Sequence, residues 1–545
     1  MGDLALSRLL QLPPATTGYT VARALPVPMR DGVDLLADLY APATGPGRGT
    51  LLARTPYGRA GVQALFFARF YAARGYHVVL QSCRGTFGSG GTFRPAADEA
   101  RDGADTVSWL RAQPWFTGTF ATIGLSYLGL AQWALLTNPP PELTAAVIIV
   151  GPHDLQAGIQ EGGAFALQNA LVWADAMAHP QSNGLLRGPL RALTNARRLN
   201  QALNILPLRD TGHRLLAGQA PWYRDWIDRP DPADPQWRDM QLPDALDRVE
   251  VPVLLIGGWH DPWLRQTLEQ YSRLHNRGVD VAVTIGPWTH LDMIGKAART
   301  TSQQSLDWLA EHLAHDAPRR RMSPVRVYVT GAERWRDLPA WPPPTQDTVL
   351  YLRAGSQLSD QPPAADEQAG TSFVYDPADP TPTVGGPLLT GTAGSRDNTK
   401  LEARRDVLTF TGPALTHDLE VTGCPVAELA HHSDNPHVDL FVRLCQVDQH
   451  GRSLNLAEGL VRRQPDQRHQ VVTLELTPLA HRFLAGARVR LQVSGGSHPR
   501  FVRNLGTNER GEGATRTVPS HRTIQHAPAA TSRLHLPIAV VGSVR

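Results

Sequence analysis

An α/β fold on a parallel sheet, interrupted by a helical insertion and followed by an all-β part, is predicted by three observations. Short apolar runs alternate with helix-like stretches over the first 150 residues and again between 251 and 290, the pattern of a parallel sheet covered on both faces. The stretch 153–244 has helical apolar spacing, little β character and four tryptophans, Trp173, Trp222, Trp226 and Trp237. Beyond Pro342-Pro343-Pro344, apolar and polar residues alternate between turns, which reads as a sandwich or jelly roll. At 545 residues the chain is too long for one core. The expected division is an α/β domain of 1–152 and 245–341, a helical cap of 153–244, and a β-sandwich of 345–545.

The elements follow in order. Val21–Pro26 and Val33–Tyr40 read as strands paired around Arg30-Asp31-Gly32. Thr50–Arg54, His77–Gln81, Phe120–Gly124 and Ala145–Val150 are short apolar runs, with helical spacing between them at Val62–Arg74, Asp102–Gln113 and Tyr127–Thr137. Val251–Gly257 and Val281–Gly286 are further buried-strand candidates, separated by the helix-like Leu264–Leu274. Ala164–Ala178 and Leu185–Leu203 are the helices expected in the insertion, whose place inside an α/β sheet marks it as a cap over an active site. Strands are expected at Thr348–Arg353, Asp406–Phe410, Asp418–Thr422, Val438–Leu444, Val471–Leu476 and Ala487–Val493, with 361–395 as a long surface excursion.

Composition narrows the function. A formal net charge of +3 is close to neutral at this length and gives no reason to expect nucleic acid or a membrane surface as partner. Lys296 and Lys400 are the two lysines, and no Gly-Lys-Ser/Thr phosphate loop occurs. Cys83, Cys424 and Cys445 are scattered, without metal spacing or a disulfide framework, so free buried thiols in a reducing compartment are expected. The first 14 residues contain Asp3 and Arg8 and lack an apolar core like that of a signal peptide, and no 18-residue apolar run occurs anywhere. A cytoplasmic chain is the expectation.

Ser126 carries the chemistry. It sits in Ala-Thr-Ile-Gly-Leu-Ser-Tyr-Leu-Gly, residues 121–129, between an apolar strand and a helix. A serine at a glycine-flanked strand-to-helix corner is the nucleophile elbow of α/β-hydrolases. The turn forces the hydroxyl into open space, and the helix start aims N–H groups at the site of an oxyanion. The generic pattern places its second glycine at 128, which here is Leu. A nucleophilic serine needs a base and an orienting carboxylate, which in this fold follow in the order Ser, Asp, His, each after a strand. Asp261 follows one expected strand and His290 the next, 135 and 29 residues further on. His260 is disfavoured as base because neighbouring side chains diverge, and Asp292 follows His290 too closely to come from the preceding strand. The segment His431–His437 reads as a solvated turn rather than a metal site.

Gly124-Leu-Ser126-Tyr127-Leu-Gly129, Gly257-Gly258-Trp259-His260-Asp261 and Gly286-Pro287-Trp288-Thr289-His290 closely resemble the cocaine esterase/X-prolyl dipeptidyl-peptidase family of serine hydrolases. So do Arg54-Thr-Pro-Tyr57-Gly58, Arg84-Gly85 with Gly88-Ser89-Gly90, Asp102-Gly103 to Gln113-Pro114-Trp115, and, further on, Asp406-Val-Leu-Thr-Phe-Thr-Gly and Asp418-Leu-Glu-Val-Thr-Gly. The likeness extends from about 18 to 540 and explains glycine 129, because the family's form is Gly-x-Ser-Tyr-x-Gly. Two departures stand out: Ser82-Cys83 precede Arg84 where Asp is common, and Leu291 replaces a glycine after His290.

The resemblance implies an α/β-hydrolase fold with a C-terminal jelly roll of the galactose-binding-like kind. It implies Ser126 as nucleophile, His290 as general base, Asp261 as its orienter, and Tyr57 hydroxyl with Tyr127 N–H as oxyanion donors. Trp263 and Trp173 are candidates for an apolar acyl pocket. The expected reaction is hydrolysis of a carboxylic ester, with no metal or organic cofactor. An Xaa-Pro dipeptidyl-peptidase or amino-acid ester or amide hydrolase is the alternative. It would need a carboxylate for the substrate's amino group, for which Glu161, Asp175 and Asp225 are available. A non-catalytic binding protein on the same fold is a remote third reading. The partner is a small acyl ester or amide; a homodimer stays open.

Overall fold

The computed structural model describes residues 2–45, 47–179, 197–463, 471–509, 513–528 and 530–540. The chain forms two compact units, Met1–Gln156 with Pro232–Arg326, and Ala157–Asp231 with Val327–Arg545. Thus 157–231, most of the stretch expected as a separate cap, groups with the all-β part, and 232–244 with the α/β part. The second unit shows why: Glu161 pairs with Arg500 at 3.0 Å, the Leu389 N–H donates to Asn169 Oδ1, and Ala164 is buried with Phe441, Leu460 and Phe501. The expected helix Leu185–Leu203 lies largely outside the described residues.

The first unit is built on strands β1 (Tyr19–Pro28), β2 (Asp34–Pro42), β3 (Thr50–Thr55), β4 (His77–Ser82), β5 (Phe120–Leu125), β6 (Leu143–Ile149), β7 (Val253–His260) and β8 (Val281–Thr289). They lie in the order β1-β2-β4-β3-β5-β6-β7-β8. β2 is antiparallel to both its neighbours, and from β4 to β8 the pairing is parallel. Every residue of β3 is buried, as a central strand covered on both faces requires. All ten residues of the helix Tyr127–Leu136 are buried too, which explains its lack of a polar face. The crossover helix Leu264–Asn276 instead has an apolar stripe, Leu264, Leu268, Tyr271 and Leu274, buried together with the polar Gln266, Thr267 and Gln270.

Two strands run further than their apolar cores suggest. β7 includes Trp259 and His260, and β8 includes Pro287, Trp288 and Thr289, so Asp261 and His290 each come directly after a strand end. The helix expected over Val62–Arg74 is broken up, with Gly61–Ala64 and Phe70–Ala72 flanking a wider π turn at Leu65–Arg69.

In the second unit the expected strands occur as Thr345–Arg353, Val407–Thr411, Leu419–Gly423, Asp439–Val447, Val471–Glu475 and Arg488–Ser494. Their pairing is mainly antiparallel around a core that includes Phe410, Leu440, Val442, Leu491, Ile524 and Leu534. Ser453–Arg462, Ser520–Gln525 and Arg533–Ala539 are further strands; in the first two several buried positions are polar or charged, which hides the apolar alternation, whereas Arg533–Ala539 buries Leu534 and Leu536. Two expectations are corrected. The excursion 361–395 contains the strand Gly370–Tyr375, paired with Ser520–Gln525. The histidine-rich segment begins inside the strand Val426–Ser433, with His431 3% exposed rather than solvated. Among the described residues no helix is long and apolar enough to cross a membrane.

Candidate active site

Ser126 stands at the corner between β5 and the helix Tyr127–Leu136, with φ +61° and ψ −121°. That conformation is costly for a residue with a Cβ, on the order of 1–3 kcal/mol, and persists where the surroundings enforce it. Three hydrogen bonds do so. Ser126 N–H donates to Ile149 O on β6 at 2.8 Å, and Ser126 O accepts from Gly129 and Leu130 N–H at 2.8 and 3.1 Å. The flanking glycines are required by close approach. A Cβ on Gly124 would lie 2.3 Å from Leu128 Cβ, and one on Gly129 would lie 2.5 Å from the Cα of Gly151. Gly151, just beyond β6, is the partner that lets helix and sheet meet, and a lone glycine after a strand gave no hint of it.

The side chains of Ser126, His290 and Asp261 come together. His290 Nε2 lies 3.0 Å from Ser126 Oγ, and His290 Nδ1 lies 2.6 Å from Asp261 Oδ2. Asp261 is 2% and His290 8% exposed, so the pair lies in a dry setting that strengthens its electrostatics. The second carboxylate oxygen, Oδ1, accepts Trp263 N–H at 2.8 Å, which fixes the carboxylate plane. His290 opens a short turn capped on both sides by Thr289 and Asp292: Asp292 Oδ2 accepts the Thr289 N–H at 2.9 Å and its hydroxyl at 2.8 Å. The spacing Thr289-x-x-Asp292 is a capping signature in the sequence. Asp292 thereby has a task, and His260 sits within β7 opposite Thr289.

Tyr57 follows β3, the neighbour of β5, and is half-buried, its N–H donating to Thr55 Oγ1 at 3.0 Å. Tyr127, the first residue of the helix, is 4% exposed; its hydroxyl accepts the Ala96 N–H at 2.9 Å and donates to Glu99 Oε1 at 3.0 Å. Burial and the Glu99 charge hold its phenol well above the ordinary range, so it stays protonated. Cys83 is buried beside the same carboxylate, and burial first, then Glu99, push its thiol up. Cys445 is buried too, whereas Cys424 is partly exposed. Arg84 joins Asp102 at 2.6 Å to Asp31 at 2.9 Å, so its motif is a scaffold for the loop after β4. Leu291 is 50% exposed.

Trp263 is half-buried beside Asp261. Trp173 belongs to the second unit, where it clusters with Trp222 and Trp226 at ring distances of 5.0 and 5.8 Å. The three carboxylates named for amine binding also lie there, each with a cation: Glu161 with Arg500 at 3.0 Å, Asp175 with Arg198 at 2.7 Å, Asp225 with Arg229 at 3.3 Å. Among the described residues, no three His, Cys, Asp or Glu side chains gather as a metal site would require.

Known proteins are similar to this chain over most of its length. Residues 31–292 match the X-Pro dipeptidyl-peptidase (S15) family, and 320–535 match the X-Pro dipeptidyl-peptidase C-terminal non-catalytic domain. Cocaine esterase of Rhodococcus sp. (strain MB1 Bresler) is 30% identical over 95% of this chain and 96% of its own. An alpha-amino acid ester hydrolase structure, 23% identical, superposes with a TM-score of 0.80 over 97% of this chain and 98% of that one. A CocE/NonD family hydrolase from Staphylococcus aureus, 17% identical, gives 0.69 over 96% and 94%. The chain therefore belongs to the S15 family of hydrolases. Its fold is that of an α/β-hydrolase with a C-terminal β-rich domain.

Proposed function

We propose that this protein hydrolyses carboxylic esters through an acyl-enzyme on Ser126. The observation that carries the reading is the chain Ser126 Oγ–His290–Asp261 at 3.0 and 2.6 Å, on a serine held in a strained elbow. His290 Nε2 accepts the Ser126 proton as Oγ bonds to the acyl carbon and the carbonyl electrons move to oxygen. The oxyanion receives hydrogen bonds from the Tyr57 hydroxyl and the Tyr127 N–H. On collapse the bond to the alkoxy oxygen breaks, and that oxygen leaves with the proton from His290. Water then gives a proton to His290 as its oxygen attacks the acyl carbon, the bond to Oγ breaks, and Ser126 regains the proton as the acid departs. Asp261 holds the imidazole in the tautomer with a proton on Nδ1 and stabilises the imidazolium. Trp263, beside Asp261, flanks the acyl group in this reading.

Ester rather than amide is supported by two observations. Glu161, Asp175 and Asp225 each already face a guanidinium, so none offers an uncompensated charge to a substrate ammonium. The relative at 30% identity is a cocaine esterase. The family description keeps an Xaa-Pro dipeptidyl-peptidase or amino-ester hydrolase as the second reading. The test is kcat/KM for p-nitrophenyl butyrate against Gly-Pro-p-nitroanilide. The ester is expected to be preferred, and preference for the anilide would overturn the assignment.

A further inference from the structure

One buried polar group reaches both elements that carry the proposed oxyanion donors. Arg54, on β3 three residues before Tyr57, is 4% exposed. Its Nη1 lies 2.9 Å from Glu99 Oε2 and donates to the Glu99 carbonyl at 2.8 Å, while its Nε donates to Gln81 Oε1 on β4 at 2.8 Å. Thr106 Oγ1 donates to the same Gln81 oxygen at 3.0 Å. Glu99, also 4% exposed, accepts the Tyr127 hydroxyl through its other carboxylate oxygen. The Ala96 N–H gives that hydroxyl a second directional bond, and the Phe93 ring packs against Tyr127 at 5.7 Å.

A buried ion pair is a poor device for stability alone, since well-packed apolar side chains serve as well. A buried network of directional bonds instead favours one geometry, even though Arg54 Nη2 and Gln81 Nε2 find no acceptor among the described residues. The residues it specifies here are the base of the Tyr57 loop and the first residue of the helix after Ser126. We propose that Arg54, Glu99 and the Tyr127 hydroxyl form a positioning network that sets the Tyr127 N–H and the Tyr57 loop in register for the oxyanion. The inference rests on the serine-hydrolase reading above. None of the three groups touches substrate. They act through the two donors, whose alignment matters because a 1 Å displacement of a catalytic group costs about 10²-fold in rate.

The test uses Tyr127→Phe, which keeps the ring and backbone and deletes the hydroxyl, and Glu99→Gln, which keeps the shape and removes the charge. Each is compared with wild type for kcat and KM on p-nitrophenyl butyrate and for inhibition by phenylboronic acid, whose tetrahedral adduct on Ser126 mimics the oxyanion. The expected result for Tyr127→Phe is a loss of about 10- to 100-fold in kcat. Boronate affinity should fall in parallel, with KM within about threefold, as for an interaction made in the transition state. In Tyr57→Phe/Tyr127→Phe the losses should be less than additive, since the network acts through both donors. Wild-type kcat and boronate affinity in Tyr127→Phe would overturn the network while leaving the serine-hydrolase reading intact. A wild-type enzyme that a fluorophosphonate fails to label at Ser126 would overturn both. If Tyr127→Phe does not fold, Glu99→Gln decides by the same readouts.

Discussion

Replacing Asp261 by Asn separates two roles of the carboxylate. Its side chain is fully buried and accepts two hydrogen bonds, from His290 Nδ1 at 2.6 Å and from Trp263 N–H at 2.8 Å. Losing one hydrogen bond to a charge costs about 1.5–3 kcal/mol. At about 1.4 kcal/mol per decade that is a rate loss of roughly 10- to 150-fold. The amide does further harm. With Oδ1 kept on Trp263 N–H, the new NH₂ faces Nδ1 and selects the tautomer with its proton on Nε2. That nitrogen then points a proton at Ser126 Oγ and cannot accept one. The combined loss should approach about 10⁴-fold in kcat. The assay is steady-state hydrolysis of p-nitrophenyl butyrate, with thermal unfolding to show that the near-isosteric variant is folded. A folded variant that loses less than about tenfold would show that neither the charge nor the tautomer matters.

Three further outcomes are expected. Tyr57→Phe should lower kcat by about 10²–10³-fold with a smaller change in KM, the usual effect of removing one oxyanion donor; full activity would remove Tyr57 from the site. Gly129→Ala drives a Cβ to 2.5 Å from the Gly151 backbone, so the helix behind Ser126 must shift, at a cost of about 1–3 kcal/mol in urea unfolding; wild-type stability would contradict the close approach. His498 is buried, and burial lowers its pKa to about 4, so the unfolded chain binds a proton the folded chain refuses between about pH 6.5 and 4. Its contribution is therefore complete above about pH 6.5 and is lost as pH falls towards 4, by about 3 kcal/mol, and His498→Gln should flatten that part of the stability profile. An unchanged profile would show that this histidine is not the sensor.

The α/β part was legible because central strands of a parallel sheet are continuous apolar runs, and β3 to β8 each contain one. The candidate site was legible because in an α/β-hydrolase fold an elbow serine, a base and its carboxylate each follow a strand in a set order. What escaped has physical reasons. β7 and β8 end in Trp-His and Pro-Trp-Thr, which look like loop residues until a neighbouring strand pairs with them. The strand Ser453–Arg462 hides Glu458, which is buried between Arg443 and Arg500 and so breaks the apolar alternation. Gly151 and the Arg54–Glu99–Tyr127 group depend on contacts between segments far apart in the chain, which periodicity cannot register. The insertion reads as helical from its apolar spacing, but its grouping with the β-rich unit depends on pairs such as Glu161–Arg500, 339 residues apart.

Whether Ser126 is an activated nucleophile is decided by a fluorophosphonate probe applied to the intact enzyme, followed by digestion and peptide mass spectrometry. One adduct is expected, on Ser126, formed by the wild type and not by Ser126→Ala. No adduct on Ser126, or equal labelling of the Ser126→Ala protein at another residue, would contradict it.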